Sequence, residues 1–147
     1  MKLNISKKIL LVDDSTRDAE LTLEAFDELG LAEKIDVCYN GLDALDYLEK
    51  KGKYKDQVSE YPSLILLDIK MPGLSGLELL KMIKNDPEKK NIPVVMLTSS
   101  NHEKDIVESY DLGVNAYVLK PVDFNKFIEA VKLIGQFWIN VNEMPRV

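Results

Sequence analysis

The sequence predicts an α/β fold with a doubly wound, five-stranded parallel sheet, and three observations lead to this fold class. Apolar runs of four to six residues recur along the chain, and longer amphipathic stretches separate them. That alternation is typical of βα units around a parallel sheet. Four of the five runs are almost uninterrupted, as expected for strands that helices cover on both faces. The length of 147 residues suffices for one such domain but not for two domains of usual size.

Each apolar run is predicted to form one strand. The five strands cover residues 9–12, 35–39, 64–67, 94–97 and 116–119. The second run contains Asp36 and therefore indicates an edge strand. Right-handed crossovers give a doubly wound sheet, and the flavodoxin-like order 2-1-3-4-5 makes strands one and three neighbours at the switch point.

Five helices are predicted, one after each strand. The first two patterns of apolar residues run up to Gly30 and Gly52, which favours left-handed C-caps at these glycines. The polar stretch 50–62 is longer than a usual connection and indicates a surface loop. The chain is expected to be a single domain with its core at about 7–138, a tail at 139–147 and no output domain.

Composition and charge exclude several classes of function. Lys and Arg number 19 against 25 Asp and Glu, and a net charge of −6 gives no field that attracts nucleic acid or anionic lipid. The single cysteine, Cys38, and the single histidine, His102, exclude an internal disulfide and zinc sites built from Cys or His clusters. No apolar run approaches the about 18 residues of a membrane span, and the N-terminus lacks a signal-peptide pattern. A cytoplasmic protein without membrane or nucleic-acid partners is expected.

The informative polar residues stand at strand ends. Asp13 and Asp14 follow strand one, and Asp68 follows strand three. Thr98 follows strand four, and Lys120 follows strand five. The carboxyl ends of parallel strands form one edge of the sheet, where doubly wound folds bind their ligands. The sequence therefore predicts a functional site at this edge.

Three carboxylates at this edge predict a divalent cation. Two like charges about 4 Å apart repel by roughly 4 kcal/mol at an effective dielectric constant near 20. Asp13, Asp14 and Asp68 are therefore not expected to stay ionised together without a cation. Oxygen-only ligation suits Mg²⁺, or Mn²⁺, better than zinc.

The hydroxyl of Thr98 and the ammonium of Lys120 add the groups that stabilise a phosphoryl group. Neither GxGxxG nor GxxxxGK[ST] occurs in the chain, so a bound nucleotide is not the expected donor. The nucleophile must then be a carboxylate. Asp68 is the best candidate, since it stands alone after the most apolar strand while Asp13 and Asp14 form a metal-holding pair.

Each of these residues also has a purely structural interpretation. Asp13, Asp14 and Ser15 together could cap the first helix, and Lys120 could extend its charge from a strand end into solvent. Tyr117 could serve in strand packing alone. Matching chemistry at four independent strand ends favours the functional interpretation over these alternatives.

Four motifs resemble the receiver domain of two-component response regulators, over residues from about 7 to 138. They lie at 9–14, 67–76, 97–100 and 113–121. The resemblance implies that Asp68 accepts a phosphoryl group from a phosphohistidine on a sensor histidine kinase or phosphotransfer protein. It also implies that Asp13 and Asp14 hold Mg²⁺ together with Asp68 and the backbone carbonyl of Lys70.

The same resemblance assigns the remaining site residues. Thr98 and Lys120 would bind the phosphoryl oxygens, and Tyr117 would swing inward as Thr98 moves. This movement would change the surface of helix four, strand five and helix five, where a downstream protein or a second copy of the chain would bind. Lys70 and Ser100 would tune the phosphoryl lifetime, with slow autophosphatase activity as the only catalysis. Ser99 departs from the smaller residue, such as Ala, that is usual in the family.

A narrower resemblance rests on two segments. The long connection at 50–62 and the Gly-Gln-Phe-Trp ending at 135–138 resemble single-domain regulators that serve bacterial phytochromes.

Two other functions compete with a signalling switch. A haloacid-dehalogenase-like phosphatase also uses Asp, Thr, Lys and Mg²⁺. That family requires a nucleophilic Asp directly after strand one and a second Asp two residues later, but here position 15, two residues after Asp13, is Ser. A receiver-like binding module that never takes phosphate is the other alternative. The complete set of five site residues argues against it.

Overall fold

The computed structural model describes residues 7–56 and 60–143. Within them, one sheet of five parallel strands has the order β2-β1-β3-β4-β5, which confirms the predicted fold class and strand order. The strands are β1 (Ile9–Val12), β2 (Ile35–Cys38), β3 (Leu64–Leu67), β4 (Val94–Thr98) and β5 (Ala116–Leu119).

Five α-helices alternate with the strands, as predicted. They are α1 (Thr16–Glu28), α2 (Gly41–Glu49), α3 (Gly76–Asn85), α4 (Glu103–Asp111) and α5 (Phe124–Gly135). Short 3-10 turns occupy Ala32–Lys34 and Gly52–Tyr54, the second of them inside the predicted surface loop. Residues 57–59 of that loop lie outside the described part of the chain.

Hydrophobic cores lie on both faces of the sheet. Along β1, Ile9 and Leu11 point into a core formed with α1 and α5, whereas Leu10 and Val12 point into a core formed with α2 and α3. Residues in β1 and β3 are at most 1% exposed. Each such large side chain contributes roughly 1.5–3 kcal/mol through its burial. The two cores bury β1 and β3 on both faces, and Asp13 and Asp68 directly follow these two strands.

β5 is an apolar strand that is only half-buried. Its residues are intermediate or exposed, because β5 lies at the second edge of the sheet. Ala116 and Val118 pack against the core formed with α1 and α5, and Tyr117 packs against the opposite core.

Of the two helix ends predicted to lie at glycines, one is confirmed and the other is wrong. α1 ends as predicted, with Gly30 in the left-handed region at φ 77°. α2 ends earlier than predicted, and Lys50 rather than Gly52 supplies its left-handed C-cap at φ 58°. The last buried residue of α2 is Leu48, so a longer helix would bury no further apolar surface.

The C-terminal helix extends past the predicted end of the core. A π-helical segment, Gln136–Val141, continues α5, and Trp138 and Ile139 pack against the core of α1 and α5. This packing of apolar residues explains why the helix continues. The last part of the predicted tail, residues 144–147, and residues 1–6 lie outside the described part of the chain. Among the helices that the structure describes, none combines the length and apolar character of a membrane span.

Candidate functional site

Asp13 and Asp68 lie side by side because the strands that carry them are hydrogen-bonded neighbours. The last paired residues of β1 and β3 are Val12 and Leu67. Past them, the N–H of Asp13 donates to the Cys38 carbonyl at 3.1 Å, and the N–H of Asp68 donates to the Val12 carbonyl at 3.0 Å. The backbone ladder thus fixes both aspartates at the carboxyl edge of the sheet, as the sequence predicts.

Three carboxylates of this edge can share one cation. One carboxylate oxygen each from Asp13, Asp14 and Asp68 lies within 4.8 Å of the other two. Asp13 and Asp68 are buried, whereas Asp14 is exposed to solvent. An all-oxygen set that is partly open to water fits a hard divalent ion such as Mg²⁺ or Mn²⁺.

The ammonium of Lys120 lies among these carboxylates. Its Nζ is 2.7 Å from Oδ2 of Asp13, 3.1 Å from Oδ2 of Asp68 and 2.9 Å from Oδ2 of Asp18. The backbone N–H of Lys120 donates to the Thr98 carbonyl at 2.8 Å, which fixes the end of β5 against the end of β4. The side chain of Lys120 is only 7% exposed, so the structure describes a buried ion-pair cluster and not a lysine extended into solvent.

Burial and ion pairing act in opposite directions on these groups. Burial raises the pKa of Asp13 to about 6, against the lowering effect of its hydrogen bond to Lys120. Burial by itself lowers the pKa of Lys120, but hydrogen bonds to Asp13 and Asp18 outweigh it, and the net shift is upward. Lys120 is therefore charged at neutral pH, and its ammonium places a buried positive charge beside the carboxylates.

The backbone around Asp68 is tightly constrained. The N–H of Ile69 donates to Oδ1 of Asp68 at 2.7 Å and orients the carboxylate. The N–H of Gly76 donates to the Ile69 carbonyl at 2.8 Å, which draws the start of α3 against this loop. A Cβ on Gly76 would lie 2.0 Å from the Asp68 carbonyl oxygen, so only glycine permits this approach. Lys70, two residues past Asp68, has an exposed side chain.

Thr98, Ser100 and Tyr117 form a connected group beside the carboxylates. Oγ1 of Thr98, which is buried, accepts from the N–H of Ser100 at 3.2 Å. The Tyr117 hydroxyl donates to the Ser100 carbonyl at 2.8 Å. The Ser100 hydroxyl donates to Asp105 of α4 at 2.5 Å, while Ser99 is exposed. The end of β4 is thus joined both to β5 and to the first turn of α4.

The residues at the start of α1 cap the helix and also contact the site. Ser15 is the N-cap of α1, and its Oγ accepts from the N–H of Asp18 at 3.1 Å. Oδ1 of Asp13 accepts from the N–H of Ser15 at 3.0 Å, while Oδ2 contacts Lys120. Asp13 therefore contacts the start of α1 with one carboxylate oxygen and Lys120 with the other.

Asp18 contacts Lys120, although nothing in the sequence predicts it as a site residue. Its position three residues after an N-cap serine is typical of ordinary capping chemistry, and this signal conceals its second role. Only the packing of the first turn of α1 against the end of β5 brings the two residues together.

The fold and the site define a receiver domain of two-component signalling. The family model for the response regulator receiver domain matches residues 9–132, and the chain belongs to this family. Proteins of the family act as signalling switches and interact with histidine kinases or phosphotransfer proteins.

Curated relatives agree with this assignment. The response regulator Rcp1 of Synechocystis sp. is 37% identical over 142 residues, which are 97% of this chain and 95% of that protein. A probable methanogenesis regulatory protein, FilR2 of Methanothrix harundinacea, is 35% identical over 93% of this chain and 86% of that protein.

Solved structures of response regulators are also similar to this chain, and some of them are regulators of phytochromes. The phosphorylated cyanobacterial phytochrome response regulator RcpA has a TM-score of 0.90 at 38% identity, covering 97% of this chain and all 100% of that one. The Mn²⁺-bound form of Rcp1 has a TM-score of 0.86 at 37% identity, covering 96% and 100%. A bacteriophytochrome response regulator, RtBRR, is 47% identical with a TM-score of 0.76, covering 96% and 85%. The predicted resemblance to phytochrome-associated regulators is confirmed. The carboxylate cluster has the composition and spacing that suit a divalent metal ion, and the Rcp1 structure is a Mn²⁺-bound form.

Proposed function

We propose that this chain is a phosphoryl-accepting switch, in which Asp68 takes a phosphoryl group from a phosphohistidine of a sensor histidine kinase or phosphotransfer protein in the cytoplasm. The observation that carries the proposal is the position of the Asp68 carboxylate. It lies within reach of one buried cation, Lys120, and within 4.8 Å of two further carboxylates, Asp13 and Asp14. A phosphoryl group needs positive charge and fixed positioning more than covalent help from the protein.

The transfer forms one bond and breaks one. A carboxylate oxygen of Asp68 bonds to phosphorus, the bond between phosphorus and the histidine nitrogen breaks, and that nitrogen keeps the electron pair. Lys120 and Thr98 bind the phosphoryl oxygens. Asp13, Asp14, Asp68 and the backbone carbonyl of Lys70 hold Mg²⁺, which supplies charge neutralisation for the phosphoryl oxygens when bound.

Catalysis by the protein itself is limited to slow loss of the phosphoryl group. Water hydrolyses the aspartyl phosphate, releases phosphate and restores the Asp68 carboxylate. Lys70, exposed two residues past Asp68, and Ser100, whose hydroxyl is engaged with Asp105, are the residues that tune this lifetime. The phosphorylated protein, rather than a product, is then the signal.

The output surface consists of α4, β5 and α5. Tyr117 joins this surface to the site through its hydrogen bond to the Ser100 carbonyl. Large hydrophobic side chains are exposed on these elements and the loop between them: Val107, Tyr110, Leu119, Val122 and Phe124. A downstream protein or a second copy of the chain binds there after phosphorylation changes the position of Thr98 and Tyr117.

Phosphorylation by acetyl phosphate tests the proposal. Purified protein is incubated with acetyl phosphate and Mg²⁺, and its intact mass is measured over time. Wild type and the Asp27→Asn variant, which changes an exposed residue at the end of α1, are expected to gain one phosphoryl group at the same rate. Asp68→Asn is expected to gain none. Equal labelling of Asp68→Asn, or no labelling of the wild type, would overturn the assignment.

A further inference from the structure

Asp18 is the third carboxylate partner of Lys120, and it lies outside the metal-binding group. Its Oδ2 is 2.9 Å from Nζ of Lys120, and its side chain is 18% exposed. The other oxygen, Oδ1, is 3.4 Å from the exposed guanidinium of Arg17. Among the described residues, the carboxylates that could share one ion are Asp13, Asp14 and Asp68, without Asp18.

A comparison of two helix starts explains why the Asp18 carboxylate is free to contact Lys120. α1 and α3 both begin with Ser-x-x-acid, at Ser15 to Asp18 and at Ser75 to Glu78. In α3 the capping box is closed, since the Glu78 carboxylate accepts from the backbone N–H of the N-cap Ser75. In α1 that N-cap N–H donates to Asp13 instead.

Asp13 thus removes the usual partner of the acid in the first turn of α1. The Asp18 carboxylate turns to Lys120, 102 residues further along the chain. The backbone N–H of Asp18 still donates to Ser15, so capping of α1 does not depend on the Asp18 side chain. The carboxylate of Asp18 therefore contacts Lys120 of the site and does not cap the helix.

The three carboxylates that contact Lys120 have different roles in the proposed reaction. Asp13 and Asp68 hold the cation, and Asp68 also carries the phosphoryl group. Asp18 has neither role, so it is the one carboxylate partner that remains to Lys120 when the ammonium binds a phosphoryl oxygen. A lysine side chain has many rotamers, and a fixed hydrogen-bond acceptor limits them. Asp18 is such an acceptor for the Lys120 ammonium.

We propose that Asp18 is a positioning residue, which holds the Lys120 ammonium toward the phosphoryl group on Asp68. This inference rests on the function proposed above. The charge of Asp18 is compensated by Lys120 in direct contact, so its repulsion of a phosphoryl group is small compared with the loss of the contact itself.

Beryllofluoride, which mimics a phosphoryl group on a carboxylate, provides the test. Asp18→Ala is compared with Glu20→Ala. The control variant likewise removes one carboxylate from α1, but Glu20 is exposed. Calorimetry measures the affinity for Mg²⁺ alone and then the affinity for beryllofluoride at saturating Mg²⁺. NMR of ¹⁵N-labelled lysine ammonium groups detects Lys120 directly, with Lys120→Met used to assign its signal.

Asp18→Ala is expected to weaken beryllofluoride binding about tenfold, the loss of one charge-assisted contact, while Mg²⁺ affinity changes by less than about threefold. The Lys120 ammonium signal is expected to shift or broaden in Asp18→Ala and to stay unchanged in Glu20→Ala. Unchanged beryllofluoride affinity, an unchanged Lys120 signal, or an equal loss of Mg²⁺ and beryllofluoride binding would each overturn the inference. If the wild type itself fails to bind beryllofluoride, the proposed function fails, while the Lys120 signal still tests the contact.

Discussion

The ammonium nitrogen of Lys120 lies 3.1 Å from Oδ2 of Asp68, although 52 residues separate them in the sequence. This contact joins the end of β5 to the end of β3 across β4. It places a buried positive charge beside the proposed phosphoryl acceptor. Lys120 also contacts Asp13 and Asp18, so it compensates part of the negative charge of the site.

Replacing Lys120 should therefore affect the two ligands in opposite directions. In Lys120→Met, Mg²⁺ binding is expected to tighten by about fivefold or more, because a positive charge about 4 Å from a cation costs about 1 kcal/mol even in water. Beryllofluoride binding is expected to weaken at least tenfold, because the anion loses its cationic partner. Calorimetric titration with each ligand measures both effects. A weaker affinity for Mg²⁺ in this variant would contradict the proposed charge balance.

Gly76 should be essential to the position of Asp68. Gly76→Ala places a methyl group 2.0 Å from the Asp68 carbonyl oxygen, so the loop or α3 must move. We expect a loss of roughly 2–4 kcal/mol in the free energy of unfolding, within the range of severe steric changes, and slower labelling by acetyl phosphate. Urea unfolding measures the first effect.

Gly73 provides the matched control. It has a positive φ of 78°, but a Cβ added there would meet no atom within 4 Å, so Gly73→Ala carries only backbone strain. That strain is about 1–2 kcal/mol. Equal destabilisation by the two substitutions would show that close approach to Asp68 is not the cause.

The Tyr117 hydroxyl should stabilise the observed arrangement of the β4 end. Tyr117→Phe removes its hydrogen bond to the Ser100 carbonyl and keeps the ring. We expect a loss of about 1 kcal/mol in the free energy of unfolding. Tyr110→Phe, at an exposed position on α4, is expected to change it by less than about 0.5 kcal/mol. Urea titrations measure the free energy of unfolding of both variants. An unchanged value for Tyr117→Phe would refute the stabilising role of this hydrogen bond.

Alkaline pH should destabilise the protein through groups buried near β2. Burial raises the pKa of Cys38 from 9.0 to about 11, and burial together with a hydrogen bond to Asp36 raises the pKa of Tyr47 above its ordinary value. Above about pH 9 the unfolded chain therefore binds fewer protons than the folded protein, and stability falls as pH rises.

The expected slope is up to about 1.4 kcal/mol per pH unit for each group that stays protonated only in the folded state. Urea midpoints at about pH 8 and about pH 10 measure it. Cys38→Ala is expected to reduce the difference between the two midpoints. A stability that stays constant or rises over this range would contradict the burial of these groups.

The strand ends could be predicted from the sequence because parallel topology brings them to one edge. The strand order alone was enough to predict that Asp13, Asp68 and Thr98 lie close together. Asp18 needed the orientation of the first turn of α1, which depends on whether Asp13 or Asp18 takes the N-cap N–H of Ser15. A local pattern cannot decide between two acceptors for one donor.

Helix ends were harder to predict for a related reason. Lys50 ends α2 because no apolar residue follows Leu48 to extend its buried face. At the other end of the chain, helical structure continues to Val141 because Trp138 and Ile139 find a core to pack against. Tertiary packing decided both ends, and glycine positions alone did not indicate it.

A crystal structure of the protein with Mg²⁺ and beryllofluoride would show whether Asp68 is the phosphoryl acceptor. We expect beryllium to be bonded to a carboxylate oxygen of Asp68, a fluoride to contact Lys120, and the metal ion to be held by Asp13 and Asp68. Beryllofluoride bound to another residue, or a site without either ligand at saturating concentrations, would contradict it.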